Sequence, residues 1–172
     1  MPNSTSGPFR LYLTRHAHAA WGEPGMRDFD RPLDPSGLRQ ARALAEQALK
    51  AAFVPDLLVN SPARRCRETA DALLDMFRTV RNIEDPTLYS AGPDAYFACI
   101  RKHADLGSLM IVGHNPMIEA VAHHLAQETG ALSSLSIGFP TAGMAAFDLP
   151  RPLPAELQGC GRAVGLLTPP LT

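Results

Sequence analysis

Three short stretches of this 172-residue chain combine side chains suited to holding an anion. Arg15-His16 follows the run Leu11-Tyr12-Leu13-Thr14. Arg64, Arg65 and Arg67 come shortly after Leu57-Leu58-Val59-Asn60. His114-Asn115 follows Leu109-Met110-Ile111-Val112-Gly113. Guanidinium forks grip phosphate or carboxylate oxygens in pairs. An imidazole with a free pKa of about 6.5 can act as nucleophile, acid or base near neutrality. No carboxylate directly follows any of the three runs, so if their ends are neighbours they form a cationic pocket. Each feature also has a plainer reading: solvated arginines on a helix face, and a histidine satisfied within the structure.

The arginine cluster has its own logic. It falls in the opening turns of a helix expected from Pro62 to Phe77, where the helix dipole disfavours cations. A bound anion at that helix N-terminus would resolve the conflict.

The elements that must position these groups can be read from periodicity. Phe9–Thr14 is an expected strand, followed by a long loop to Asp34 with Gly22, Pro24, Gly25 and Pro32. Loops of such length tend to be functional. Leu38, Ala41, Leu44, Ala45 and Ala48 form a helical stripe from Pro35 to Ala52, with Asp34 as N-cap and Pro35 at the first helical position. Asp56–Asn60 is a short apolar strand. In the next helix Ser61 is the expected cap, and Cys66 packs on the apolar face with Ala70, Leu73 and Phe77. Val80–Tyr89 is weakly strand-like around Pro86. A helix from Pro93 to Ala104, a strand at Leu109–Gly113, a helix from Pro116 to Gln127 capped by Asn115, and strands at Gly143–Leu149 and Ala163–Leu167 complete the pattern. Strands alternating with helices imply an α/β three-layer sandwich: a mostly parallel central sheet with helices on both faces, antiparallel in part near its end. Ligands in such sheets bind beyond the carboxyl ends of the strands.

Composition bounds the function. The formal net charge is −1, so the basic excess of a nucleic-acid binder is missing. No apolar run approaches the roughly 18 residues of a membrane span. All but Lys50 and Lys102 of the 16 basic residues are arginine, which fits either genome bias or a use for guanidinium forks. Cys66, Cys99 and Cys160 are odd in number and widely spaced, as expected for reduced thiols in a cytoplasmic protein. Residues 1–8 lack the marks of a signal peptide and read as a loose tail. Residues 9–168 read as one domain and residues 169–172 as a C-terminal tail.

Leu11–Ala17, with its Arg15-His16-Ala17, resembles the Arg-His-Gly/Ala signature of the histidine phosphatase superfamily, whose fold is phosphoglycerate mutase-like. Ser61-Pro62-Ala63-Arg64-Arg65-Cys66-Arg67-Glu68-Thr69-Ala70 is similar to its second motif, and Val112-Gly113-His114-Asn115-Pro116 to its second-histidine motif. Arg31-Pro32-Leu33, Leu88-Tyr89 and Pro140-Thr141-Ala142-Gly143 resemble features of the SixA-like phosphohistidine phosphatase branch. The likeness runs in order from about Phe9 to Leu149. It implies that His16 is the phosphorylated nucleophile and that Arg15, Arg65 and His114 hold the phosphoryl oxygens. Arg64 then fills a variable place and Arg67 lies at the surface. No cofactor or metal is implied, because arginines supply the charge. Asn115, His18 and Arg31 are further candidates for substrate contact.

The sequence departs from the phosphoglycerate mutase-like members in lacking an obvious Glu as general acid around Leu88–Asp94. An alkoxide leaving group needs a proton, worth typically about 10²–10⁴-fold; a phosphohistidine ring can carry its own. That favours a phosphohistidine protein as partner; this reading expects a shallow, open pocket, because 172 residues do not accommodate the long insertions of the family members with bulky caps. A small-molecule phosphomonoesterase is the alternative, with His18, Asp94 or a loop carboxylate as acid. A non-catalytic phosphate- or phosphoprotein-binding module is a second alternative, which the presence of a nucleophile argues against. His18 is open between proton donor, phosphate contact and bystander. A metal held by His16-x-His18 with Glu23 or Asp28 is a weaker reading, since those carboxylates sit in a loop of unknown path. Arg31 either reaches the pocket or fastens the loop. Arg65 is expected as an exposed pocket arginine.

Overall fold

The structure is a computed structural model, described for residues 6–128, 130, 132, 133 and 138–172. Part of the expected tail at 1–8, residues 1–5, lies outside that description. A six-stranded sheet forms the middle layer, in the order β3-β2-β4-β1-β5-β6. The strands are β1 (Phe9–Arg15), β2 (Leu57–Asn60), β3 (Arg81–Glu84), β4 (Ser108–Gly113), β5 (Met144–Leu149) and β6 (Arg162–Leu167). The first four run parallel; β5 pairs antiparallel with β1, and β6 antiparallel with β5. No helix lies between β5 and β6, so the antiparallel pairing of these two strands follows from their short connection. Among the described residues no helix is long and apolar enough to cross a membrane.

The pleat of β1 divides the core in two. Leu11 and Leu13 point to one face and Tyr12 to the other. On Tyr12's face lie α1 (Pro35–Lys50) and α2 (Arg64–Phe77), packed through Leu44, Ala48, Cys66 and Leu73. On the opposite face lie α4 (Pro93–Lys102) and α5 (Met117–Leu125), packed through Tyr96, Ile100, Ile118 and Val121. The chain therefore leaves β1 toward one face and the adjacent β4 toward the other. The crevice between two such strand ends is where open α/β sheets bind ligands.

Several local expectations are corrected. Of the weak strand expected at Val80–Tyr89, Arg81–Glu84 forms β3, and after Pro86 the chain turns into a one-turn helix, α3 (Thr87–Ser90). Ser61 does not cap α2, whose N-cap is Ala63 without a side-chain bond. Asn115 does not cap α5, whose N-cap position is Pro116. Asp34 does cap α1, accepting from the Gly37 N–H at 2.7 Å.

The long loop after β1 is closed at its base. Ala19 bridges Leu33, and Asp34 N–H donates to the His18 carbonyl at 3.2 Å. One 3₁₀ turn, Asp28–Asp30, sits within it. The His18 carbonyl comes so near α1 that a Cβ on Gly37 would lie 1.9 Å from its oxygen. Residues after β6 return to α1, where the Pro169 carbonyl accepts from Gln40 and the Thr172 carbonyl from Arg39.

Candidate active site

At the end of β1 the backbone holds His16 on both sides. Its N–H donates to the Gly113 carbonyl of β4, and its carbonyl accepts from Ala142, each at 3.0 Å. The ring is oriented by one contact, Nδ1 to the Ala17 carbonyl at 2.7 Å. A carbonyl only accepts, so Nδ1 carries the proton and Nε2 keeps a free lone pair. Burial pushes this histidine down to about 3, and the neighbouring His114, Arg65 and Arg15 add to the shift. The ring is neutral at physiological pH.

His114 follows the adjacent strand, with its ring centroid 5.4 Å from that of His16. Its Nδ1 accepts from Arg65 Nη2 at 3.3 Å, so in the neutral ring Nε2–H donates to Ser61 Oγ at 2.8 Å. The Ser61 hydroxyl thus turns the second imidazole instead of capping a helix. Burial lowers His114 to about 4; Arg65 lowers it further and Asp28 opposes. Its backbone N–H donates to the Tyr96 hydroxyl at 3.1 Å. Gly113 makes that approach possible, because a Cβ there would meet Tyr96 Oη at 2.3 Å.

The two arginines differ in freedom. Arg15 Nη1 donates to the Phe139 carbonyl at 2.7 Å, while its buried Nε has no partner among the described residues. Arg65 is 7% exposed, against the expectation of an exposed pocket arginine. It donates to the Asp28 carbonyl at 2.7 Å and to Asp28 Oδ2 at 3.0 Å. The conflict of arginines at the start of α2 is thereby met partly from within: Arg65 by Asp28, Arg64 by Glu68 at 2.8 Å, with Arg67 exposed.

One cavity of about 440 Å³ is lined by Arg15, His16, His18, Arg31, Arg65, His114 and Asn115. All seven candidates from the sequence meet there. Their attachments vary. His18 Nδ1 bonds Asp34 Oδ2 at 2.7 Å, and so leans on the α1 cap. Arg31 both lines the cavity and fastens the loop, donating to the Ala20 carbonyl at 2.9 Å and to Asp28 Oδ1 at 3.1 Å. Asn115 Nδ2 donates to Glu119 and to the Phe139 carbonyl, each at 3.2 Å. Asp94 is exposed in the first turn of α4 and does not line the cavity.

Sequence reasoning underrated three lining residues: Asp28, Tyr89 and Trp21. Asp28 is the carboxylate of this otherwise cationic wall. Its only local signal is its place three residues before Arg31. Tyr89 donates to Asp28 Oδ2 at 3.2 Å and stacks edge-on against Phe29. Among the described residues no three His, Cys, Asp or Glu side chains gather as a metal-binding group.

The arrangement gathers an imidazole with a free lone pair and two guanidinium groups on one cavity, which is suited to receiving a phosphoryl group. Comparison with known proteins agrees. The family model of the histidine phosphatase superfamily (branch 1) matches residues 11–89. The chain is 36% identical to the solved structure of a "putative phosphohistidine phosphatase SixA" from Agrobacterium tumefaciens, with a TM-score of 0.85, over 95% of this chain and 100% of that one. It is 34% identical to an uncharacterised protein of Mycobacterium tuberculosis strain H37Rv, over 90% of this chain and 99% of that protein. A chloroplastic uncharacterised protein of Arabidopsis thaliana is 35% identical over 71% of this chain, which spans 61% of its length.

Proposed function

The chain belongs to the histidine phosphatase superfamily and, with its SixA-like fold, is a phosphatase; from that premise we propose that it dephosphorylates phosphohistidine in a protein through a covalent intermediate on His16. His16 Nε2 attacks phosphorus while Nδ1–H stays on the Ala17 carbonyl. Arg15, Arg65 and His114 hold the three equatorial oxygens, each charge-assisted bond contributing about 1.5–3 kcal/mol. In the free protein His114 Nδ1 accepts from Arg65. To donate to the phosphoryl group it takes up a proton, which an arriving dianion favours. Water then attacks the phosphorus of phospho-His16, releasing phosphate and restoring the ring.

The observation that carries the substrate reading is the state of the cavity's carboxylate. Partial burial raises the Asp28 carboxyl, but hydrogen bonds from Arg65, Arg31 and Tyr89 outweigh this and hold it below the usual range. An ionised Asp28 has no proton for an alkoxide. A phosphohistidine ring needs none, because it leaves as neutral imidazole when already protonated on its other nitrogen. The same carboxylate, were it protonated, would serve a small-molecule phosphomonoesterase, and that is the second reading.

Incubation with a phosphohistidine protein, an aryl phosphate and an alkyl phosphate separates the two. The expected kcat/KM falls in that order, by about 10²–10⁴-fold from first to last, the usual worth of a general acid. Equal rates on the alkyl phosphate and phosphohistidine would transfer the assignment to the phosphomonoesterase.

A further inference from the structure

Asp28 stands where a phosphate site would ordinarily avoid negative charge. It enters the cavity from the 3₁₀ turn of the long loop, beside the arginine assigned to the phosphoryl oxygens. Oδ2 accepts from Arg65 at 3.0 Å and from Tyr89 at 3.2 Å, and Oδ1 accepts from Arg31 at 3.1 Å. A carboxylate has about four lone-pair directions, so one acceptor position is left. The side chain is 52% exposed, which leaves that position open to a ligand. Three donors from three segments orient the group, and Phe29, next in the chain, packs edge-on against Tyr89 at 5.1 Å. The carboxylate is a built part of the wall.

We propose that Asp28 reads the charge of the leaving group: it accepts a hydrogen bond from a leaving group with an N–H or a positive charge beside the phosphoryl, and repels one that carries a carboxylate there. The favoured substrate rests on the phosphohistidine reading; the repulsive half does not. For phosphohistidine the step balances without an outside proton. The Nε2 lone pair of His16 forms a new N–P bond as the substrate's N–P bond breaks. The electron pair of the broken bond returns to that ring nitrogen. The proton on the other ring nitrogen stays in place, held by Asp28, and neutral imidazole departs. A simple alkyl phosphate without an amine brings no such N–H. A phosphorylated hydroxy acid brings a second anion against a fixed carboxylate, and like charges so placed disfavour binding.

The test is Asp28→Asn in the full chain, a neutral isostere, with Asp28→Ser as second variant and thermal unfolding to check that both are folded. Two substrate pairs are compared by kcat/KM. The first is phosphohistidine against phenyl phosphate. The second is O-phosphoethanolamine against O-phosphoserine, two primary alkyl phosphates that differ by a carboxylate. The wild type is expected to prefer the first member of each pair, and both variants to shrink both preferences by about tenfold, the scale of one lost charge-assisted contact. Equal losses on all four substrates would overturn the proposal, since Asp28 would then merely hold Arg65. Losses confined to the alkyl phosphates would also overturn it, since Asp28 would then be an acid. A wild type without preference for phosphohistidine, but with an Asp28-dependent preference for phosphoethanolamine, would defeat the substrate reading while upholding the charge reading.

Discussion

One carbonyl decides which nitrogen of His16 is free. With Nδ1–H tied to Ala17, Nε2 keeps its lone pair and burial keeps it unprotonated; in the proposed mechanism it is the attacking atom. His16→Ala is expected to abolish turnover and remove any acid-labile, alkali-stable phosphoenzyme; label persisting in this variant would move the nucleophile elsewhere. The same burial sets the acid side of the pH profile. An ordinary histidine would lose its nucleophilic form below about 6.5, whereas His16 and His114 are depressed to about 3 and about 4. Once the ionisation of an aryl phosphate substrate is allowed for, kcat/KM is expected not to fall between pH 7 and pH 4, because His16 stays unprotonated there and His114 works in its protonated form; the loss comes near the His16 value of about 3. A limb at 6.5 would show the rings to be solvated.

At the scale of elements, the site depends on how closely the β1–α1 loop sits on α1. Asp34 joins the two: one oxygen caps α1 at Gly37 and Ser36, the other holds the His18 ring. Gly37 has no Cβ where the His18 carbonyl passes, and a methyl group there would overlap that oxygen. Gly37→Ala is expected to cost about 1–3 kcal/mol, the usual penalty of overpacking. It also displaces the loop that carries Asp28 and Arg31. A lowered melting temperature together with a raised KM is the expected result. A variant with unchanged stability would show that the loop is free to move off the helix.

For the whole molecule, the buried pocket makes stability depend on pH. His16 and His114 have folded pKa values below their unfolded value of about 6.5. Below that pH the unfolded chain binds protons that the native chain refuses, so stability falls with acidification until the folded values are reached. The carboxyls of Asp28 and Asp34 are depressed in the fold, and their contributions disappear only at more acid pH. The melting temperature is therefore expected to drop between pH 7 and pH 5, before any carboxylate effect. It is expected to drop less in His16→Ala. An oxyanion that binds the native pocket counters the fall: vanadate at a hundred times its Kd adds about 2.7 kcal/mol. A melting temperature that vanadate leaves unchanged would count against an anion site.

Much of this was readable along the chain, because the relevant forces are local. The period-3.6 stripe of α1 and the wholly apolar runs of β2 and β4 follow from side-chain periodicity, and Asp34 could be placed as a cap from its neighbours alone. The histidines and arginines stood out because each follows a buried strand, where a sheet presents its ligand crevice. Tertiary structure decided the partners. Ser61 and Asn115 have the composition of helix caps, yet their side chains turn to His114 and to Phe139 and Glu119. With β2 beside β4 in the sheet, the Ser61 hydroxyl is set against the buried His114 ring, and Asn115 reaches the Phe139 carbonyl across the chain. Asp28 lies 37 residues from Arg65, so their contact is invisible to periodicity. Only the folding back of the loop after β1 brings a carboxylate into a wall whose sequence neighbours promised positive charge alone.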